Sequence, residues 1–126
     1  MLHEFNGSYR EVYLDGRPLP VNPNPTWNGY STGHWEGDAL VIETNGIGDD
    51  MWLDIQGSPI TESAKLTEKL TRPNLNLLQV DITVNDPKAY TKPFTVRVNQ
   101  QIQVDTEMIE FICNENQQFR RRVKID

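Results

Sequence analysis

Leu78-Gln79-Val80-Asp81-Ile82-Thr83-Val84 alternates aliphatic and polar side chains without a break. A strand sends successive side chains to opposite faces, so this run sets Leu78, Val80, Ile82 and Val84 against a core and Gln79, Asp81 and Thr83 toward water. Phe94, Val96, Val98, Ile102 and Val104 repeat the pattern, with Gln100 interrupting the apolar row. Tyr9, Glu11 and Tyr13 alternate with Arg10, Val12 and Leu14, while residues 40–42 and 108–113 are apolar enough to be covered on both faces. No stretch of ten residues carries a 3.6-residue apolar period, so strands and not helices are the frame.

The turns between these runs have their own signatures. Asn6-Gly7 tolerates the left-handed backbone of a type I′ turn, which pairs residues 2–5 with 8–14. Glu36-Gly37-Asp38 joins residues 30–35 to 39–44, Arg72-Pro73-Asn74 joins 65–70 to 75–84, and Val104-Asp105-Thr106-Glu107 joins the last two strands. Two longer connections resist regular structure: residues 15–29, with Pro18, Pro20, Pro23 and Pro25, and residues 45–63, with three glycines. Ser58-Pro59 is placed to cap one helical turn through Glu62, and residues 86–90 to form another short turn. The expected architecture is an all-β antiparallel meander of about eight strands, curled into a barrel because closure removes exposed edges. A two-layer sandwich is the alternative.

Composition narrows the function. The 126 residues carry a net charge of −6, which argues against phosphate backbones and anionic membrane surfaces as partners. One domain is expected over residues 1–126, ending in a basic tail at 117–126 that holds Arg120, Arg121, Arg122 and Lys124. The single Cys113 forms no internal disulfide and reads as a small core residue. With no apolar segment of membrane-spanning length and no leader-like N-terminus, a cytoplasmic chain without upstream processing is the expectation.

The candidate site residues are those that break the alternation. Glu68 lies between Leu66 and Leu70 in the apolar row of its strand, and Gln100 sits in the row of Val96 and Val98. A carboxylate on such a face is a candidate general acid or base, since desolvation favours its neutral form, and Gln100 would orient a ligand. Trp27, Tyr30, Trp52 and Tyr90 fall in loops and at strand ends, where they would line a pocket for a planar or hydrophobic molecule or plug one end of the sheet. His34, Glu36 and Asp38 are spaced by two, but the last two fall in a turn, and no metal site or cofactor is expected. Nucleophile-elbow, phosphate-loop, dinucleotide and paired-cysteine motifs do not occur.

Arg10-Glu11-Val12-Tyr13-Leu14-Asp15-Gly16-Arg17, Pro23-Asn24-Pro25-Thr26-Trp27, Gly29-Tyr30-Ser31, Trp35-Glu36-Gly37-Asp38, residues 86–93 (Asp86-Pro87-Lys88-Ala89-Tyr90-Thr91-Lys92-Pro93) and Cys113-Asn114-Glu115-Asn116 together resemble a family of uncharacterised bacterial proteins, often exported in soil bacteria. The resemblance covers nearly the whole chain and implies, by analogy of architecture, a lipocalin-like, calycin-type barrel that binds a small apolar ligand. It carries no catalytic residues. The first strand is shorter here than in such relatives, so incomplete closure and pairing with a second copy as a homodimer are expected. Three functions follow from these residues: non-catalytic binding of a small hydrophobic or aromatic molecule, acid/base catalysis of the lyase, isomerase or hydrolase type through Glu68, or a dimeric protein-interaction module.

Overall fold

The computed structural model describes residues 1–3 and 8–109. Glu11–Val104 form one compact unit, and residues 1–3, 8–10 and 105–109 belong to a second. In the smaller unit Leu2 and Tyr9 form an antiparallel bridge, the His3 amide donates to the Ser8 carbonyl at 2.8 Å and the Arg10 amide to the Met1 carbonyl at 2.9 Å. The Leu2–Tyr9 bridge falls within the hairpin expected of residues 2–5 and 8–14, but Val12 and Tyr13 pair with Ser31 and Thr32, and the register leaves four residues between His3 and Ser8, two more than a type I′ turn allows. Asn6-Gly7, Cys113 and the basic tail lie outside the described residues.

The larger unit is one open mixed sheet: β1 (Val12–Tyr13), β2 (Tyr30–Glu36), β3 (Ala39–Asn45), β4 (Lys65–Asn74), β5 (Leu77–Asn85) and β6 (Phe94–Gln101), hydrogen-bonded in that order. The fold is all-β as the alternation required. It is not a closed eight-stranded barrel: six strands are present among the described residues, and β1 and β6 are not joined. Nor is the meander wholly antiparallel. β1 pairs parallel to β2, Val12 with Ser31 and Tyr13 with Thr32, because the long connection of residues 14–29 brings the chain back before β2 begins. Val12 and Leu14 then fill the space above Gly33, where an added Cβ would lie 2.9 Å from Leu14 and 3.2 Å from Val12.

The antiparallel part follows local turn chemistry. Glu36 pairs with Ala39 across a two-residue loop, Gly37-Asp38, and Gly37 has φ of 61°, the left-handed value a type II′ turn demands at its first position. The turn expected at Arg72-Pro73-Asn74 lies one step later. β4 runs on through Pro73 to Asn74, which pairs with Leu77, and the register slips between Thr71 and Asn74. That slip accommodates a proline, which has no amide hydrogen for a ladder, while the Asn74 side chain accepts the Asn76 amide at 2.9 Å and closes the loop. Pro59 starts no helical turn; it bridges Trp52 instead. β6 stops at Gln101, short of Val104, and Met108 and Ile109 are in no strand. Among the described residues there is no helix, and so none long and apolar enough to cross a membrane.

Candidate ligand-binding face

Directly opposed residues of antiparallel strands share a face, so the registers fix what each side of the sheet presents. One side carries Glu36, Lys69, Asp81, Thr83, Thr95 and Arg97. Arg97 grips the Asp81 carboxylate with two hydrogen bonds of 2.6 and 2.7 Å and holds its pKa below the usual carboxylate range. Lys69 at 3.2 Å and His34 at 3.4 Å do the same for Glu36. Thr83 and Thr95 share a hydrogen bond of 2.8 Å. His34 and Glu36 are thus occupied with structural partners, and among the described residues no group of three His, Cys, Asp or Glu side chains is placed to hold a metal.

The other side is built in rows across the strands. Ser31, Thr44, Leu66, Val84 and Phe94 form the first; Gly33, Ile42, Glu68, Ile82 and Val96 the second; Trp35, Leu40, Leu70, Val80 and Val98 the third. Leu78 and Gln100 begin a fourth. Ile42 is fully buried and Val84 nearly so, and the hydroxyls of Ser31 and Thr44 satisfy one another at 2.8 Å in the interior.

The end at the first row is sealed. Residues 46–63 fold over it, with Ile47, Ile60 and Ala64 packed together against Leu66, Met51 and Leu53. Asp86, 1 % exposed, fastens this cover. Its carboxylate accepts the Thr61 amide at 2.7 Å, the Thr61 hydroxyl at 2.8 Å, and the Lys88 and Ala89 amides at 3.1 and 3.3 Å. Burial pushes the Asp86 pKa up, but the donors from Thr61, Lys88 and Ala89 outweigh it and hold the group below its ordinary value. Tyr90 adds a hydrogen bond to the Pro59 carbonyl at 2.8 Å and meets the Phe94 ring edge-on at 4.9 Å.

The opposite end is open. Val96 is 49 % exposed and Val98 37 %, opposite half-buried Ile82 and buried Val80 on β5. Beyond Val98 lies a groove of about 350 Å³ lined by Arg72, Leu75, Asn76, Leu77, Leu78, Gln100, Gln101 and Ile102. Pockets that hold small organic ligands run from about 300 to 1,000 Å³, so this groove is large enough. A second groove, beside Trp27, Asp49, Asp50 and Met51, is about 200 Å³ and falls short.

These positions separate the expected site residues. Glu68 is where its spacing put it, half-buried on the apolar side between Ile42 and Ile82, with Oε2 out of contact with solvent. Gln100 lines the larger groove. Trp27, Tyr30, Trp52 and Tyr90 lie at or beyond the sealed end, where Thr26 bridges Ile47 and Trp52 bridges Pro59. Trp27 and Trp52 are largely exposed, and no ring contact joins any two of the four. The groove residues missed by sequence reasoning are Arg72, Leu75, Asn76, Leu77, Leu78, Gln101 and Ile102. The signal was present for Arg72, which continues the two-residue spacing of Leu66, Glu68 and Leu70. The chain was compared with models of known protein families, with curated proteins and with solved structures, and none of them matches it.

Proposed function

We propose that this protein is a non-catalytic binding module that takes a small apolar or aromatic molecule at the open end of its sheet. The observation that carries the reading is the half-exposed pair Val96 and Val98, in register with half-buried Ile82 and buried Val80 and on the same strand face as Gln100, which lines the groove. Full burial of a valine contributes about 1.5–3 kcal/mol, so covering the exposed halves of two contributes a similar amount, with Leu75 and Ile102 adding to it. The lipocalin-like barrel suggested by the resemblance would hold the same class of ligand inside a closed sheet; here the open rows offer it a surface instead.

Titration with a neutral apolar fluorophore tests the proposal. Saturable binding is expected in the wild type, loss of it in Val98→Lys, and retention in Thr95→Lys, which alters the polar side of the same strand. Absence of saturation, or a Val98→Lys protein that binds as well as the wild type, overturns it. Acid/base catalysis is the second reading, favoured by Glu68 standing among aliphatic side chains. It requires that the bound molecule be converted to product, and that Glu68→Gln, folded and still binding, stop the conversion.

A further inference from the structure

The arginines of the sheet unit are treated differently by the fold. Arg17 grips Asp15 with hydrogen bonds as short as 2.6 Å, and Arg97 grips Asp81 as tightly. Arg72 has no carboxylate within ion-pair distance among the described residues; it donates once, to the Leu75 carbonyl at 2.9 Å. A guanidinium offers five donors in a planar fork suited to a carboxylate, so most of this capacity is turned to solvent at the rim of the groove. Around it are Leu75, Leu77, Leu78 and Ile102, with the amides of Asn76, Gln100 and Gln101 beside them.

The geometry points to an anionic amphiphile as the ligand class: a carboxylate head held by Arg72 and Gln100, and an apolar tail lying along Val98 and Val96. This rests on the binding role proposed above and gives the ligand a direction. Gln100 and Val96 are four residues apart on one strand, about 13 Å, which suits an alkyl tail of moderate length. Glu68 stands in the second row, between Ile42 and Ile82. A carboxylate head placed there would face a group of its own kind, whereas at the groove it faces the guanidinium.

Decanoate and decan-1-ol at neutral pH differ in the head alone and form the probe pair. For the wild type, decanoate is expected to bind at least tenfold more tightly, a difference of about 1.4 kcal/mol. Arg72→Gln, which keeps a donor for the Leu75 carbonyl, is expected to remove that preference by weakening decanoate at least tenfold, with a smaller effect on decan-1-ol. Raising the salt concentration should narrow the preference in the wild type and have no such effect on the variant. Equal binding of both probes by the wild type overturns the anionic class and leaves the binding role standing. A preference that survives Arg72→Gln overturns the placement of the head. Failure of both probes to bind removes the binding role, and this inference with it.

Discussion

Asp86→Asn removes one charge from the interior and changes almost nothing else in shape. In the wild type one carboxylate oxygen accepts the Thr61 amide, and the other accepts the Thr61 hydroxyl and the Lys88 and Ala89 amides. An asparagine turned to keep three of these donors sets its NH2 group against the fourth, the Thr61 amide, at a position where the oxygen stood 2.7 Å away. Hydrogen bonds to a charged acceptor contribute about 1.5–3 kcal/mol each against about 0.5–1.5 for neutral ones. Losing one and weakening three by about 1–1.5 kcal/mol each therefore costs about 4.5–7.5 kcal/mol. Burying a neutral amide in place of a carboxylate returns part of this, which leaves a net loss of about 3 kcal/mol. For a domain of 60–100 residues this lowers Tm by about 12–24 °C.

The pH dependence separates charge from shape. The folded pKa of Asp86 lies below its unfolded value of about 3.9, so its stabilisation is fully present above that value and is lost as pH falls through the folded pKa. Asp15, Glu36, Asp54 and Asp81, whose pKa values are lowered in the same direction, act in both proteins and cancel in the difference. Chemical denaturation of wild type and variant at pH 7 and pH 3 should show a gap of about 3 kcal/mol that narrows on acidification. A gap below about 1 kcal/mol at pH 7, or one of equal size at both pH values, refutes the assignment of Asp86 as the charged fastener of this end.

Other substitutions probe the same packing. Ile42→Ala should destabilise by about 2–5 kcal/mol and Ile42→Val by about 0.5–1.5, read by denaturant midpoint at constant slope, because Ile42 has no exposed surface. Thr44→Val leaves the Ser31 hydroxyl buried without its partner and should cost about 1–3 kcal/mol, whereas Ser31→Ala combined with Thr44→Val should cost less than the sum of the single changes. Gly29→Ala should lower Tm by about 8–16 °C for a loss of about 2 kcal/mol, since Gly29 has φ of 63° and a new Cβ would lie 2.5 Å from the Asn45 carbonyl oxygen.

What the amino-acid pattern disclosed and what it hid divide along a physical line. Period two assigns a residue to a face, and the faces of Glu68, Asp81, Val96 and Gln100 were all readable for that reason. It does not say which end of the sheet a residue reaches. Trp27, Tyr30, Trp52 and Tyr90 share a position class in sequence, yet they lie at the end away from Gln100 because the connections on either side of them fold over the first row. The parallel pairing of β1 was hidden as well. Two residues have no measurable alternation, and the partner lies beyond a connection whose path no local signal sets. Pro73 read as a turn because prolines interrupt ladders, while a register slip also absorbs one.

The brevity of β1 carries a consequence for motion. Two residues hold it to β2, and the connection that follows contains four prolines, which narrow the unfolded ensemble without adding ladder bonds. Amide protons of Val12 and Tyr13 should therefore exchange by peeling, long before those of Ile42 or Val84 are released by global opening. Each such excursion unroofs Gly33 and lays bare the donors and acceptors along one side of β2, so the sheet has a hinged margin that swings while its centre stays shut.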